Sequence, residues 1–200
     1  MGITASQKGG QDFDVLDEGV HRANCVGLID LGHQENEKFN KLEHKVLITW
    51  ELPEARIQLE KDGEVKDLPR FISRTFTLSL HKKSSLRPFL QNWRGKKFED
   101  SELEGFDMKN ILSVSCNLQI IHDTTGDKTY ANISGIMPDK GKVETESELS
   151  YFSFEEKMDI PPNCPEWIVE KIKNSGEWTD MMSDEMPQDP PWADDDDKPF

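Results

Sequence analysis

The 200-residue chain has no stretch approaching the roughly 20 consecutive apolar residues of a bilayer span. Met1 to Gly10 lacks the apolar run of a secretory signal. Cysteine is scarce: Cys25, Cys116 and Cys164 are odd in number, far apart and free of any CxxC pairing. That excludes a disulfide framework, offers no zinc knuckle, and fits a reducing cytoplasm. No GxxxxGK[ST] loop is present, so nucleotide hydrolysis has no signature. The five histidines, His21, His33, His44, His81 and His122, are scattered singly, and no metal site is expected of them. The carboxylates form no metal-nuclease constellation, and Ser84-Ser85 beside His81 reads as a helix cap rather than a nucleophile. No catalytic residue, metal or cofactor is expected, and no internal repeat occurs.

What the chain does have is acid, unevenly placed. The formal net charge is −15. Residues 151 to 200 carry 14 acidic and four basic side chains, two-thirds of that excess. By contrast, Arg70 to Phe98 holds eight cations and no acid: Arg70, Arg74, Lys82, Lys83, Arg87, Arg94, Lys96 and Lys97. At the chain's average density about six acids would fall in such a stretch. The molecule is electrically polarised, and its net charge conceals a basic surface.

Periodicity orders the elements. Met1 to Asp12 is small and polar, a flexible leader. Val20 to Leu31 is β-rich, with Gly27 marking a bulge or bend. His44, Val46, Ile48, Trp50 and Leu52 alternate as one face of a second strand. Leu59 to Lys66 carries an Asp62-Gly63 turn between polar arms. Phe71 to Leu80 is a third strand, with Ile72, Phe76, Leu78 and Leu80 inward. The period then changes: Leu86, Phe89, Leu90 and Trp93 form a helical stripe, with Pro88 in the first turn and Gly95 as the stop. Ser101 to Leu112 is a short helix or structured loop. Leu112 to Ile120 and Thr129 to Met137 are two further strands, joined by a turn at Asp123 to Asp127. Leu149 to Phe154 can add an edge strand, and Pro165 to Lys173 is a short amphipathic helix. From Asn174 the sequence has no apolar period and reads as a disordered acidic C-terminal tail.

Three strands, a helix and two strands match the five-stranded Greek-key OB barrel, with its helix between strands 3 and 4. The predicted class is mainly β. The domain boundaries are a leader at 1–12, the OB domain with its extension at 13–173, and the tail at 174–200.

Two features carry function. Within the basic block, Lys82, Lys83, Arg94, Lys96 and Lys97 are expected to contact phosphates, with Arg74 and Arg87 as further candidates. Phe71, facing away from Ile72, and Tyr130, outward beside Asn132, are expected to stack on bases. Trp93 lies on the helix stripe, which favours the core, and stays a candidate contact. The second feature is the ending DDDDKPF. Its acidic run can mimic a phosphate backbone, and its final ring and carboxylate suit an apolar pocket with a basic rim. A runner-up from another class is a protein-interaction or inhibitor module whose acidic surface mimics DNA.

The tip resembles the acidic Pro-Phe end of bacterial single-stranded DNA-binding proteins, with Lys198 standing where an apolar residue is usual. The body instead resembles the OB-fold single-stranded DNA-binding proteins of tailed bacteriophages. The segments concerned are CVGLIDLG (25–32), KVLITWELP (45–53), SRTFTLSLHKKSSLRPFLQNWRGKKF (73–98), ELEGFDMKNIL (102–112) and YANISGIMP (130–138). The resemblance implies sequence-independent coating of unpaired DNA in phage replication and recombination, inside a bacterial host cell. It implies that Asp194, Asp195, Asp196, Asp197, Pro199 and Phe200 dock replication or recombination proteins. No membrane is implied, and the oligomeric state stays open.

Overall fold

The computed structural model describes residues 14–36, 40–61, 64–156 and 158–185. The leader, the Asp62-Gly63 turn and the acidic tip at 194–200 lie outside the described residues. The chain is mainly β. Its elements are β1 (Gly19–Asn36), β2 (Lys41–Lys61), β3 (Glu64–Thr77), α1 (Leu86–Arg94), α2 (Asp100–Glu104), a 3-10 turn (Met108–Ile111), β4 (Ser115–Thr125), β5 (Lys128–Pro138), β6 (Ser150–Phe152), α3 (Glu166–Lys173) and α4 (Gly176–Glu185). None of the described helices is long and apolar enough to cross a membrane.

The sheet runs β3-β2-β1-β4-β5, antiparallel throughout, and β6 pairs in parallel with β1 at Gly27 to Ile29. β4 pairs with β1 only from Gly19 to Asn24, which frees that edge for β6. Register slips by one between Cys25 and Gly27, the bulge expected at Gly27. A Cβ there would stand 2.9 Å from the Cβ of Thr49, so the close strand approach requires glycine. The sheet is not closed by backbone hydrogen bonds: β3 and β5 are its two ends. A side chain spans the seam instead, Arg74 Nη1 donating to the carbonyl of Ile133 at 2.9 Å.

Two apolar clusters hold the sheet. The first lies between the inner face and α1 and includes Trp50, Phe76, Leu86, Leu90, Leu118 and Ile120. The predicted helix stripe is buried in it as expected, at Leu86, Phe89, Leu90 and Trp93. Gly95 ends α1 in the left-handed conformation, φ 68°. The second cluster covers the opposite face of β1 and β2: Ile29, Leu31, Leu47, Phe152, Ile168 and Ile172. This explains why β1 reads as a continuous apolar run: Leu28 faces one cluster while Ile29 and Leu31 face the other.

Several boundaries differ from expectation; β1 and β2 run on to Asn36 and Lys61, and β3 already starts at Glu64. β3 stops at Thr77, and Leu78 is 37% exposed in the following loop. β4 starts at Ser115, leaving Val114 40% exposed before it. The β4–β5 turn is tighter than Asp123 to Asp127, because Thr125 already pairs with Lys128. Finally, the described first part of the expected tail is helical, as α4. Trp178 packs on the second cluster, and the Glu177 carboxylate accepts from the backbone N–H of His33, at 3.2 and 3.0 Å to its two oxygens.

One buried acid anchors the crossing to β6. Glu51 is fully buried on β2. Its carboxylate accepts from the backbone N–H of Glu146 at 2.8 Å, from that of Ser147 at 3.0 Å, and from the Ser147 hydroxyl. Three donors compensate the charge in a site water does not reach.

Candidate nucleic-acid interface

The basic block folds as the end of β3, a loop, α1 and its exit. Strand and helix phase sort its cations into two groups. Lys82 and Lys83 sit in the β3–α1 loop, and Lys96 and Lys97 follow the Gly95 cap; all four are exposed. None of these four forms an ion pair among the described residues. The loop is held locally: Ser84 Oγ donates to the Ser79 carbonyl, and the backbone N–H of Lys83 reaches His81 Nδ1 at 3.2 Å. With 1.5 Å of rise per residue, α1 separates the two lysine pairs by about 13 Å.

Arg74, Arg87 and Arg94, by contrast, are half-buried and each makes contacts inside the fold. Arg74 shares the inward parity of Ile72 and Phe76. Its guanidinium lies 4.9 Å from the Phe76 ring centre and 5.5 Å from that of Phe89, besides bonding Ile133. Cation–π contact and the seam hydrogen bond tie it to the core side of the sheet. Arg87 bonds the Leu80 carbonyl at 3.4 Å and Gln91 Oε1 at 3.5 Å, along its own loop and helix. Arg94 pairs with Glu102 and stacks over Phe98 and Phe106, at 4.5 and 5.3 Å. That hydrogen bond, aided by the backbone N–H of Glu99, holds the Glu102 carboxyl below its ordinary range.

Burial corrects the candidate contact Trp93. It is 3% exposed, stands 5.6 Å from Trp50 ring to ring, and donates its Nε1–H to the Ser115 carbonyl at 3.2 Å. It is a core residue.

Phe71 and Tyr130 face outward as expected, 51% and 50% exposed. They do not share one pocket with the lysines. Six strand steps of about 3.3 Å separate Phe71 from the end of β3, roughly 20 Å. Tyr130 lies on β5, opposite Asp123 of β4. The arrangement is a tract over the surface, with cations about α1 and rings on the sheet.

One ring was missed by sequence reasoning. Phe71 lines a groove of about 630 Å³ between the outer face of β1–β3 and the C-terminal extension, together with Gly27, Thr49, Ser73, Leu149 and Trp167. Trp167 is 46% exposed, with the Lys171 ammonium 5.8 Å from its ring centre. The signal was present: Ile168 and Ile172 form the buried stripe of α3, and Trp167 is off it. Flat aromatic walls and a neighbouring cation suit an unpaired base.

The buried thiols of Cys25 and Cys116 take no part. Burial pushes the Cys25 thiol up to about 12 and the Cys116 thiol higher still, so both stay protonated.

No family model, curated protein or solved structure matches this chain.

Proposed function

We propose that the chain binds single-stranded DNA without sequence preference, as a non-enzymatic coat in phage replication or recombination. In this reading the sheet is an OB-type sheet left open between β3 and β5, with α1 in the position of the OB helix. The strand order β3-β2-β1-β4-β5 supports it, as does the resemblance of the segments quoted above. The observation that carries the reading is the set of four exposed lysines, without an ion-pair partner among the described residues, in an acid-free block of an otherwise acidic chain, on the same molecule as two half-exposed rings. Lysines neutralise phosphates and release counterions; rings accept any base. Asp194 to Asp197 compete for the cationic tract when DNA is absent, and together with Pro199 and Phe200 they engage partner proteins when DNA fills it.

The test is an oligo-dT titration of the full chain at several salt concentrations, read by mobility shift, beside a variant with Lys82, Lys83, Lys96 and Lys97 changed to Gln. The wild type should bind the single strand in preference to a duplex, with strong salt dependence. The variant's log K against log salt should be shallower by about 3, from about 0.7 per phosphate contact on single strands. An unchanged slope would remove the lysines from the interface. Absence of binding at low salt would leave the acidic protein-interaction reading in its place.

A further inference from the structure

Outside the cationic tract, the fold assembles a cluster that no local spacing announces. His33 on β1 is the cross-strand partner of His44 on β2. Their rings face each other with centroids 4.9 Å apart and planes inclined by 35°. Glu177, in the first turn of α4, reaches the same point from 144 residues away, bonding both the backbone N–H and Nδ1 of His33. One ligand atom from each of His33, His44 and Glu177 lies within 4.8 Å of the other two. We infer that these three side chains form a binding site for a divalent transition-metal ion of the zinc class, clamping α4 onto the β1–β2 hairpin.

The donor set and its surroundings support this. Two imidazoles and one carboxylate are the ligands zinc takes at about 2.0–2.2 Å, with water in a remaining position, and they suit magnesium or calcium poorly. His33 and Glu177 are partly exposed, 49% and 26% by side chain, so modest rotations close them on an ion. A second shell is built. His44 Nε2 meets Asp30 Oδ1 at 2.6 Å, and that same oxygen accepts from the backbone N–H of Gly32 at 2.9 Å. A carboxylate holding one imidazole nitrogen fixes the ring and leaves Nδ1 to ligate. The backbone is shaped for the approach. Gly32 has φ 65°, and a Cβ on it would stand 2.6 Å from the Ser175 Cβ and 2.7 Å from Glu177 Oε2. The Glu177 side of the site opens on a cleft lined by Glu35, Asn174 and Asp180, which leaves room for solvent on the ion. On binding, the ion takes the place of the hydrogen bond between His33 Nδ1 and Glu177.

The site does not depend on DNA binding, and its test is separate. The full chain, stripped with chelator, is titrated calorimetrically with zinc chloride and with magnesium chloride, and its cobalt(II) spectrum is recorded. One saturable zinc site is expected, with no magnesium competition and no thiolate charge-transfer band. His33→Gln and His44→Gln should each weaken zinc binding at least about tenfold, and Asp30→Asn by about tenfold through the second shell. His81→Gln should leave it unchanged. Zinc should raise the melting temperature of the wild type and not of His33→Gln, which lies on the surface and folds without the ion. Equal zinc affinity in the wild type and both ligand variants would overturn the assignment, as would a thiolate band or no zinc binding at all.

Discussion

At the scale of the residue, lysine and arginine divide the basic block between them. A guanidinium is planar and weakly hydrated, so it stacks on rings and donates in several directions; an ammonium stays in water. Arg74 and Arg94 accordingly lie over Phe76, Phe89, Phe98 and Phe106, while four lysines stay outside. The Arg94–Glu102 pair has a pH signature. Arg94 lowers the Glu102 carboxyl, Arg22 lowers that of Asp139, and Lys109 lowers that of Glu156, in each case chiefly by a hydrogen bond. The folded state therefore binds fewer protons than the unfolded one as these groups titrate. Their contribution is complete above the ordinary carboxylate range and is lost as pH falls through the lowered folded values. Urea midpoints should fall between about pH 6 and about pH 3, and Glu102→Gln should make the fall shallower. An unchanged pH slope in that variant would remove Glu102 from the account. Arg74 was legible all along. Its parity with Ile72 and Phe76 puts it inward, and only the charge argument directed it to solvent. Arg94 was not legible, because its partners Glu102 and Phe106 come from a later helix and loop whose return no local pattern encodes.

At the scale of the element, period was informative wherever one element faced one core. The stripe of α1 follows from that, and β2 keeps Val46, Ile48, Trp50 and Leu52 inward although Leu47 joins the second cluster. It was uninformative where two surfaces compete. β1 buries both faces, so its apolar run carries no alternation. α4 is held by Glu177 and Trp178 against β1, two contacts without a helical stripe, and so its segment read as tail. The open seam between β3 and β5 belongs here too, since it is spanned by a side chain, Arg74, which strand pattern does not encode. The second cluster gives a direct test. Ile172 is fully buried where α3 meets the outer face of the sheet. Ile172→Ala should cost about 2–5 kcal/mol in urea unfolding and speed amide exchange in β6 and α3. A cost below about 1 kcal/mol would mean the extension is not part of the cooperative fold.

At the scale of the whole molecule, charge is the organising quantity. A chain of net charge −15 that keeps 29 consecutive residues free of acid holds a local positive field, and under the proposed function that field binds the acidic end as well as a nucleic acid. Asp194 to Asp197 lie outside the described residues, so solution behaviour must decide. A tethered anion competes at the effective concentration set by its linker, and that competition is screened by salt. Deleting Ala193 to Phe200 should therefore tighten oligo-dT binding, and the gain should shrink as salt rises. Neutralising Asp194 to Asp197 to Asn while keeping Pro199 and Phe200 should reproduce the gain, because competition for the lysines is electrostatic. Phe200→Ala should leave DNA affinity nearly unchanged and abolish partner capture, because the ring serves the partner rather than the tract. Weaker DNA binding on truncation would reverse the sign of the interaction and show the acidic end supporting the complex instead of competing with it.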